Sequence, residues 1–209
     1  LKHASPKEIM ASKILSEKVE KVRQFRLSSK ATTTNGYAKV PQLFAQITQP
    51  DDVDFLIIPS VSSERRRYVP IGFATQDIIS SNAVQIVPNA TLYHFGVLTS
   101  NVHMAWMRAV CGRLKSDYRY SKEIVYNTFP WPKPTEEQKI KIEQTAQMIL
   151  NAREQYSDCS LADMYGEKMY LFPELVKAHQ DNDRAVMQAY GFTKGTEAYK
   201  SEAACVAEL

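Results

Sequence analysis

The sequence predicts an α+β fold, a mixed sheet-and-helix domain followed by a small all-α helical-hairpin domain. Three observations carry this reading. Short β-branched runs cluster between Val53 and Val87. Longer stretches with helical apolar spacing flank them. The run Pro130-Trp131-Pro132-Lys133-Pro134 then sets off a second, wholly helical stretch.

Taken in order, residues 5–27 read as a helix. Ser5 is a cap, Pro6 suits the first helical position, and Ile9, Ile14, Leu15, Val19, Val22 and Phe25 recur at helical spacing. Thr32-Thr33-Thr34-Asn35-Gly36 reads as a turn or loop. Val53–Ile58, Tyr68–Phe73 and Ala83–Val87 are bounded by Pro, Ser or Asn and read as strands of one sheet. A longer helix is expected from Thr91 to Cys111, with Gly112 where it should stop. Glu123 to Phe129 reads as extended. Beyond the prolines, Thr135-Glu136-Glu137-Gln138 fits a capping box opening a helix. A second helix is expected from Pro173 to Tyr190, stopping at Gly191, and the two should form a hairpin. The last fifteen residues, small and polar, should be loosely held. This gives a helical lead-in at 1–30, a sheet-bearing domain at 31–132 and a helical domain at 135–209.

Composition narrows the function. The 209 residues are 44% hydrophobic and 23% charged, with a net charge of +3, an ordinary globular balance. The charge is uneven. Residues 1–133 hold 18 basic and 10 acidic side chains, whereas residues 134–209 hold 8 and 13. A polyanion would meet the first part and be repelled by the last. No stretch approaches the roughly 18 apolar residues of a membrane span, and the first residues lack a signal-peptide apolar core. Cys111, Cys159 and Cys205 lie far apart, which disfavours a disulfide framework or a zinc site and suits a reducing cytoplasm. A cytoplasmic protein with no membrane partner is therefore expected.

Catalytic patterns are not found. Seven glycines leave little room for a nucleotide-cradling loop. The Asp/Asn/Ser-Pro-Pro-aromatic loop of DNA amino-methyltransferases is missing, since Asn127-Thr128-Phe129-Pro130-Trp131 lacks the paired prolines. Pro50-Asp51 with Glu64-Arg65-Arg66 puts arginine where a metal-dependent nuclease requires lysine. His3, His94, His103 and His179 show no metal spacing, and His94 and His103 are expected to be packed or capped. No Gly-x-Ser-x-Gly elbow occurs. The chain is read as non-catalytic, with no metal and no cofactor of its own.

Two clusters suggest binding instead. In the first, Ser60 to Ser63 lead into Arg65, Arg66 and Arg67, and arginines and short hydroxyls are common partners of phosphate oxygens. In the second, Arg113, Lys115, Arg119 and Lys122 alternate with Tyr118, Tyr120 and Ser121. If this segment is extended, Lys115, Asp117 and Arg119 share one side. Lysine donates to guanine O6/N7 and aspartate accepts from cytosine N4, so Lys115 and Asp117 could read both halves of one G·C pair. Spacing alone favours an exposed strand whose Lys115 and Asp117 neutralise each other, and describes a solvated first loop equally well.

A longer composite bears on the choice. Ile58-Pro59-Ser60-Val61-Ser62-Ser63-Glu64-Arg65-Arg66, Tyr68-Val69-Pro70-Ile71-Gly72-Phe73 and Leu92-Tyr93-His94-Phe95-Gly96-Val97-Leu98-Thr99-Ser100 recur in a known family. So do Met104-Ala105-Trp106, the run Cys111 to Ser121, and Ile124-Val125-Tyr126-Asn127-Thr128-Phe129-Pro130-Trp131-Pro132. Phe44 to Pro132 thus resembles the target-recognition domain of MmeI-like type II restriction–modification enzymes, and residues 135–209 resemble its C-terminal helical domain. The resemblance implies a parent protein whose methyltransferase domain holds S-adenosylmethionine and modifies adenine, with possible nuclease activity, while this part reads double-stranded DNA. By position it implies base reading by Asn82, Ala83, Lys115, Asp117 and Arg119. Phosphate contacts would fall to Ser62, Ser63, Arg65, Arg66, Arg67, Arg113, Tyr118, Tyr120, Ser121 and Lys122. Partners would be duplex DNA and the parent's methyltransferase domain. The rival readings are a complete enzyme with an unrecognised site, a single-strand binder stacking bases on Tyr118, Tyr120 and Trp131, and a protein-interaction module docking through its acidic hairpin.

Overall fold

The computed structural model describes residues 4–46 and 49–209, so His3 lies outside the described residues. The chain forms two compact units, Leu1–Gln49 and Pro50–Leu209. In the first, the expected single helix divides into α1 (Pro6–Ala11) and α2 (Lys13–Leu27). Ser5 caps α1 in a capping box with Glu8, as the sequence suggested. Ser12 takes an extended conformation and its hydroxyl caps α2 through the Leu15 N–H, which explains the break. Thr32–Gly36, expected as a loop, is a short helix, α3. Arg26 gathers the following turn by donating to the carbonyls of Tyr37, Val40 and Leu43 at 2.8, 3.0 and 2.8 Å.

The second unit carries six strands, β1 (Phe55–Pro59), β2 (Val61–Ser62), β3 (Gly72–Ala74), β4 (Val84–Pro88), β5 (Gly112–Leu114) and β6 (Asp117–Arg119). They make two three-stranded antiparallel sheets, ordered β3-β1-β4 and β2-β6-β5. The three β-branched runs do share one sheet. The middle run is shorter than expected, because Pro70 has no N–H to donate and the Ile71 N–H turns back to the Val69 carbonyl at 2.9 Å. Tyr68, Val69 and Ile71 are nevertheless buried.

The expected long helix at 91–111 is two, α4 (Leu92–Leu98) and α5 (Asn101–Val110). Ser100 separates them. Its Oγ accepts from the His103 N–H at 3.3 Å and donates to the Val97 carbonyl at 2.7 Å. The Lys122–Tyr126 segment is a π-helical turn rather than extended, closed by the Asn127 N–H on the Lys122 carbonyl at 2.8 Å. Beyond the prolines lie α6 (Glu136–Glu154), α7 (Leu161–Met164), α8 (Pro173–Ala189) and α9 (Glu202–Glu208). Thr135 and Gln138 form the expected capping box, α8 packs on α6, and Gly191 ends α8 at φ 76°. The final residues are not loose. Ala198 and Cys205 are buried, and α9 packs on α5.

Two apolar clusters hold this unit, and both run across the proline stretch. In the first, Leu56, Ile58, Phe95 and Met104 pack with Ala146, Ile149, Tyr165 and Leu175. In the second, Val97, Val102 and Phe129 pack with Ile142, Val186 and Cys205. A buried polar network crosses the same boundary. Arg153 donates to the Ile71 carbonyl at 2.8 Å, and through Nε and Nη2 to Tyr165 Oη at 2.9 and 2.6 Å. Tyr165 therefore gives its own proton to His179 Nε2, 2.7 Å away. Burial and the nearby Arg153 charge keep that histidine neutral, well below its usual pKa. Tyr68 donates to Asp183 Oδ2 at 2.6 Å and stacks on His179 at 4.1 Å. The C-terminal helices thus grip the segment that follows the three arginines.

Candidate nucleic-acid interface

Ser60 joins the two sheets. Its N–H donates to the Ala83 carbonyl at 2.9 Å, and its carbonyl accepts from the Tyr120 N–H at 2.9 Å. The chain leaving β1 therefore enters β2 with the start of β4 on one side and the end of β6 on the other. Asn82 and Ala83, exposed at the head of β4, are brought beside the segment that carries Asp117 and Arg119. Gln85 reinforces the junction by donating from Nε2 to Ser60 Oγ at 3.1 Å.

The second cluster is a β-hairpin. Leu114 pairs with Asp117 across a two-residue turn, and Gly112 pairs with Arg119. Paired residues share a face, so Asp117 and Arg119 point one way and Tyr118 the other. Lys115 is not on that strand face, contrary to the extended reading. It occupies the turn at φ 58°, the left-handed region that favours glycine. Among the described residues no ion pair joins Lys115 to Asp117, so the mutual-neutralisation reading lacks its contact. Arg113 supports the hairpin, its guanidinium 4.0 Å from the Tyr118 ring centre and donating to the Ser116 carbonyl at 2.8 Å.

Several expected phosphate contacts face inward. Ser62 and Tyr118 are buried on the inner side of the second sheet. Tyr120 is also buried, its hydroxyl 3.0 Å from His103 Nε2. Solvent-side phosphates cannot reach these groups, so the assignment of Ser62, Tyr118 and Tyr120 is corrected. Their alternation with basic residues is the ordinary in–out pattern of a strand. The same burial removes two platforms from the single-strand reading. The third, Trp131, packs against Phe129, His94, Tyr126 and Tyr93. Ser121 caps the π-helical turn through the Ile124 N–H, while Lys122 is exposed and 3.7 Å from Glu123.

The three arginines diverge. Arg65 and Arg66 line a cleft of about 410 Å³ with Ser63, Glu64, Ser116, Asp117, Gly166 and Glu167. Arg67 lines a separate groove with Arg108 and Glu202. Arg65 is held by Glu167 at 2.6 Å, and this partner raises the arginine's affinity for its proton further. The cleft thus brings both sequence clusters together with a turn from the C-terminal helices. Sequence reasoning missed Ser60 as the junction and missed Glu167. Nothing local signals Glu167, an acid in a predominantly acidic stretch lying 102 residues from its partner.

His94 and His103 are capped and packed, as the sequence suggested. His94 accepts the Thr91 N–H at 3.1 Å as a cap on α4. His103 is fully buried against Phe129, and burial drives its pKa down to about 3. Among the described residues, no group of His, Cys, Asp or Glu could hold a metal ion, and no helix is long and apolar enough to cross a membrane.

Residues 1–133 match the family model described as MmeI, target recognition domain, and residues 134–209 match that described as MmeI, C-terminal domain. The linked sheets and the exposed hairpin are thus those of a target recognition domain, and the helices beyond the prolines those of its C-terminal domain. The chain belongs to the MmeI family. The solved structure of the type IIL restriction–modification enzyme MmeI in complex with DNA is similar over 98% of this chain, with a TM-score of 0.88 and 44% identity. DNA methyltransferase A of Bacillus subtilis (strain 168) is 36% identical over 190 residues, 91% of this chain. The chain spans 27% of the MmeI chain and 21% of the methyltransferase.

Proposed function

We propose that this chain reads the base sequence of double-stranded DNA on behalf of a longer restriction–modification protein. In that protein a methyltransferase domain, using S-adenosylmethionine, modifies an adenine. The observation that carries the reading is the convergence at Ser60, which joins the head of β4 to the end of the strand bearing Asp117 and Arg119, with Asp117 sharing a cleft with Arg65 and Arg66. The outer face of this three-stranded sheet carries Asp117 and Arg119, and each base pair presents its own donors and acceptors in the major groove. Asp117 would accept from cytosine N4 and Arg119 would donate to guanine. Lys115, from the turn, would donate to the guanine paired with that cytosine. Asn82 suits a bidentate grip on adenine, and Ala83 leaves space beside it. Ser63, Arg65, Arg66 and Lys122 would contact phosphates. That a similar enzyme was solved in complex with DNA supports DNA as the partner.

The test is methylation mapping in a host expressing the full-length parent. One modified motif is expected. The double exchange Lys115→Glu with Asp117→Arg should invert the preference at a single base pair, a change worth about 1–3 kcal/mol. A motif unchanged by the exchange removes these residues from base reading.

A further inference from the structure

Val61 and Leu114 are apolar, yet Val61 is 39% and Leu114 50% exposed. Scattered surface leucines and valines need no explanation, but these two have a register. Val61 pairs with Arg119 across β2 and β6, and Leu114 pairs with Asp117 across β5 and β6. Directly paired residues of antiparallel strands share a face, with Cβ atoms about 4.5–5.5 Å apart. The opposite face, with Ser62 and Tyr118, is the buried one. Each polar side chain of the outer face therefore has an apolar neighbour. Gly112, the other partner of Arg119, has nothing within 4 Å of where a Cβ would stand. Bare backbone lies open there, and a base edge can approach it.

We propose that Val61 and Leu114 form the apolar half of the reading face and contact the C5-methyl groups of thymine. The proposal rests on the duplex-reading function above and extends it from G·C to A·T pairs. The chemistry is complementary. The thymine methyl is the apolar group of the major-groove edge, and neither the carboxylate of Asp117 nor the guanidinium of Arg119 gains from covering it. A valine and a leucine offer phosphates no donor, so they are not backbone contacts. Flanked by a carboxylate and a guanidinium, they suit a surface that alternates polar and methyl groups.

The test uses the 209-residue chain. Duplexes bound from a random pool define the preferred motif, and each thymine in it is then replaced by deoxyuridine, which lacks only the methyl. At least one replacement is expected to weaken binding about fourfold, the worth of one buried carbon. Leu114→Ala or Val61→Ala should abolish that loss at its own position while leaving G·C preferences intact. If no motif emerges, duplex reading itself fails, and this inference with it. If a motif emerges but uridine is neutral throughout, or the sensitivity survives both substitutions, only the inference is overturned. It is equally overturned if the chain self-associates and both substitutions make it monomeric without altering its DNA preference.

Discussion

Arg65 and Arg66 open onto the cleft beside Asp117, whereas Arg67 turns into a groove with Arg108 and Glu202. Three adjacent arginines therefore should not behave alike on a polyanion. Replacing Arg65 or Arg66 by alanine is expected to weaken all duplexes about equally and to lower the salt slope of binding by about one unit. Arg67→Ala should leave that slope unchanged. Titrations at several salt concentrations decide it, and an equal loss at all three positions contradicts the division. Lys115 offers a second contrast. A non-glycine residue in the left-handed region costs roughly 1–2 kcal/mol, and Lys115 sits there at φ 58°. Glycine relieves that strain but has a more flexible unfolded chain. Lys115→Gly should thus leave stability unchanged or raise it by up to about 1 kcal/mol, while weakening discrimination at one base pair. Denaturant unfolding checks the first half and motif selection the second. A marked loss of stability would mean that the lysine side chain is holding the hairpin.

Among the elements, α4 presses on α6 at Gly96. A Cβ there would stand 2.7 Å from Ile142 Cγ2 and 3.1 Å from Asn182 Oδ1. Asn182 already donates to the Gly96 carbonyl at 2.8 Å, so it has little freedom to withdraw. Gly96→Ala is expected to cost about 1–3 kcal/mol by overpacking, read as a lower denaturation midpoint at constant m-value. A neutral result would show that the helices can part. The elements also show what the sequence could reveal. The strands β1 and β4 and the helices α6 and α8 were legible because their periodicity was sustained and their caps explicit, as at Thr135 and Gly191. The breaks at Ser12 and Ser100 were hidden because apolar spacing continues through them. The β5–β6 hairpin was hidden more deeply. Its strands have three residues each, and its turn is Lys115-Ser116 rather than Asn-Gly. Both basic clusters were legible as residue types, but which side chains face outward required the ladder.

For the molecule as a whole, the shared core fixes what truncation does. Removing residues 135–209 strips Ile142, Ala146, Ile149, Tyr165 and Leu175 from the clusters that cover Ile58, Phe95 and Val97. The remaining chain is expected to lose its cooperative unfolding transition. A sharp transition in calorimetry would show that the sheet part folds alone. Acid should also destabilise the fold. His103 has a folded pKa of about 3, and His179 is held well below 6.5. The unfolded chain therefore binds more protons at these sites, and their contribution is lost as pH falls below 6.5. Asp183, raised to about 6 mainly by burial, opposes this. Its folded state binds the extra proton between about 4 and 6, so its contribution is lost as pH rises. Two histidines act against one aspartate, so stability is expected to fall as pH drops from about 6 toward 4. Thermal unfolding should show a midpoint that drops through this window. A midpoint that rises on acidification would mean that Asp183 dominates.

The junction at Ser60 bears on how such a reader changes over generations. Both of its bridging bonds use main-chain atoms, to the Ala83 carbonyl and from the Tyr120 N–H. No side chain at 82, 83, 117 or 119 is required to hold the two sheets together. Side-chain exchanges at those positions leave both bridging bonds their atoms. Under the reading proposed above, a change of DNA preference would be a change of side chains alone, with the scaffold and everything fastened behind it inherited intact.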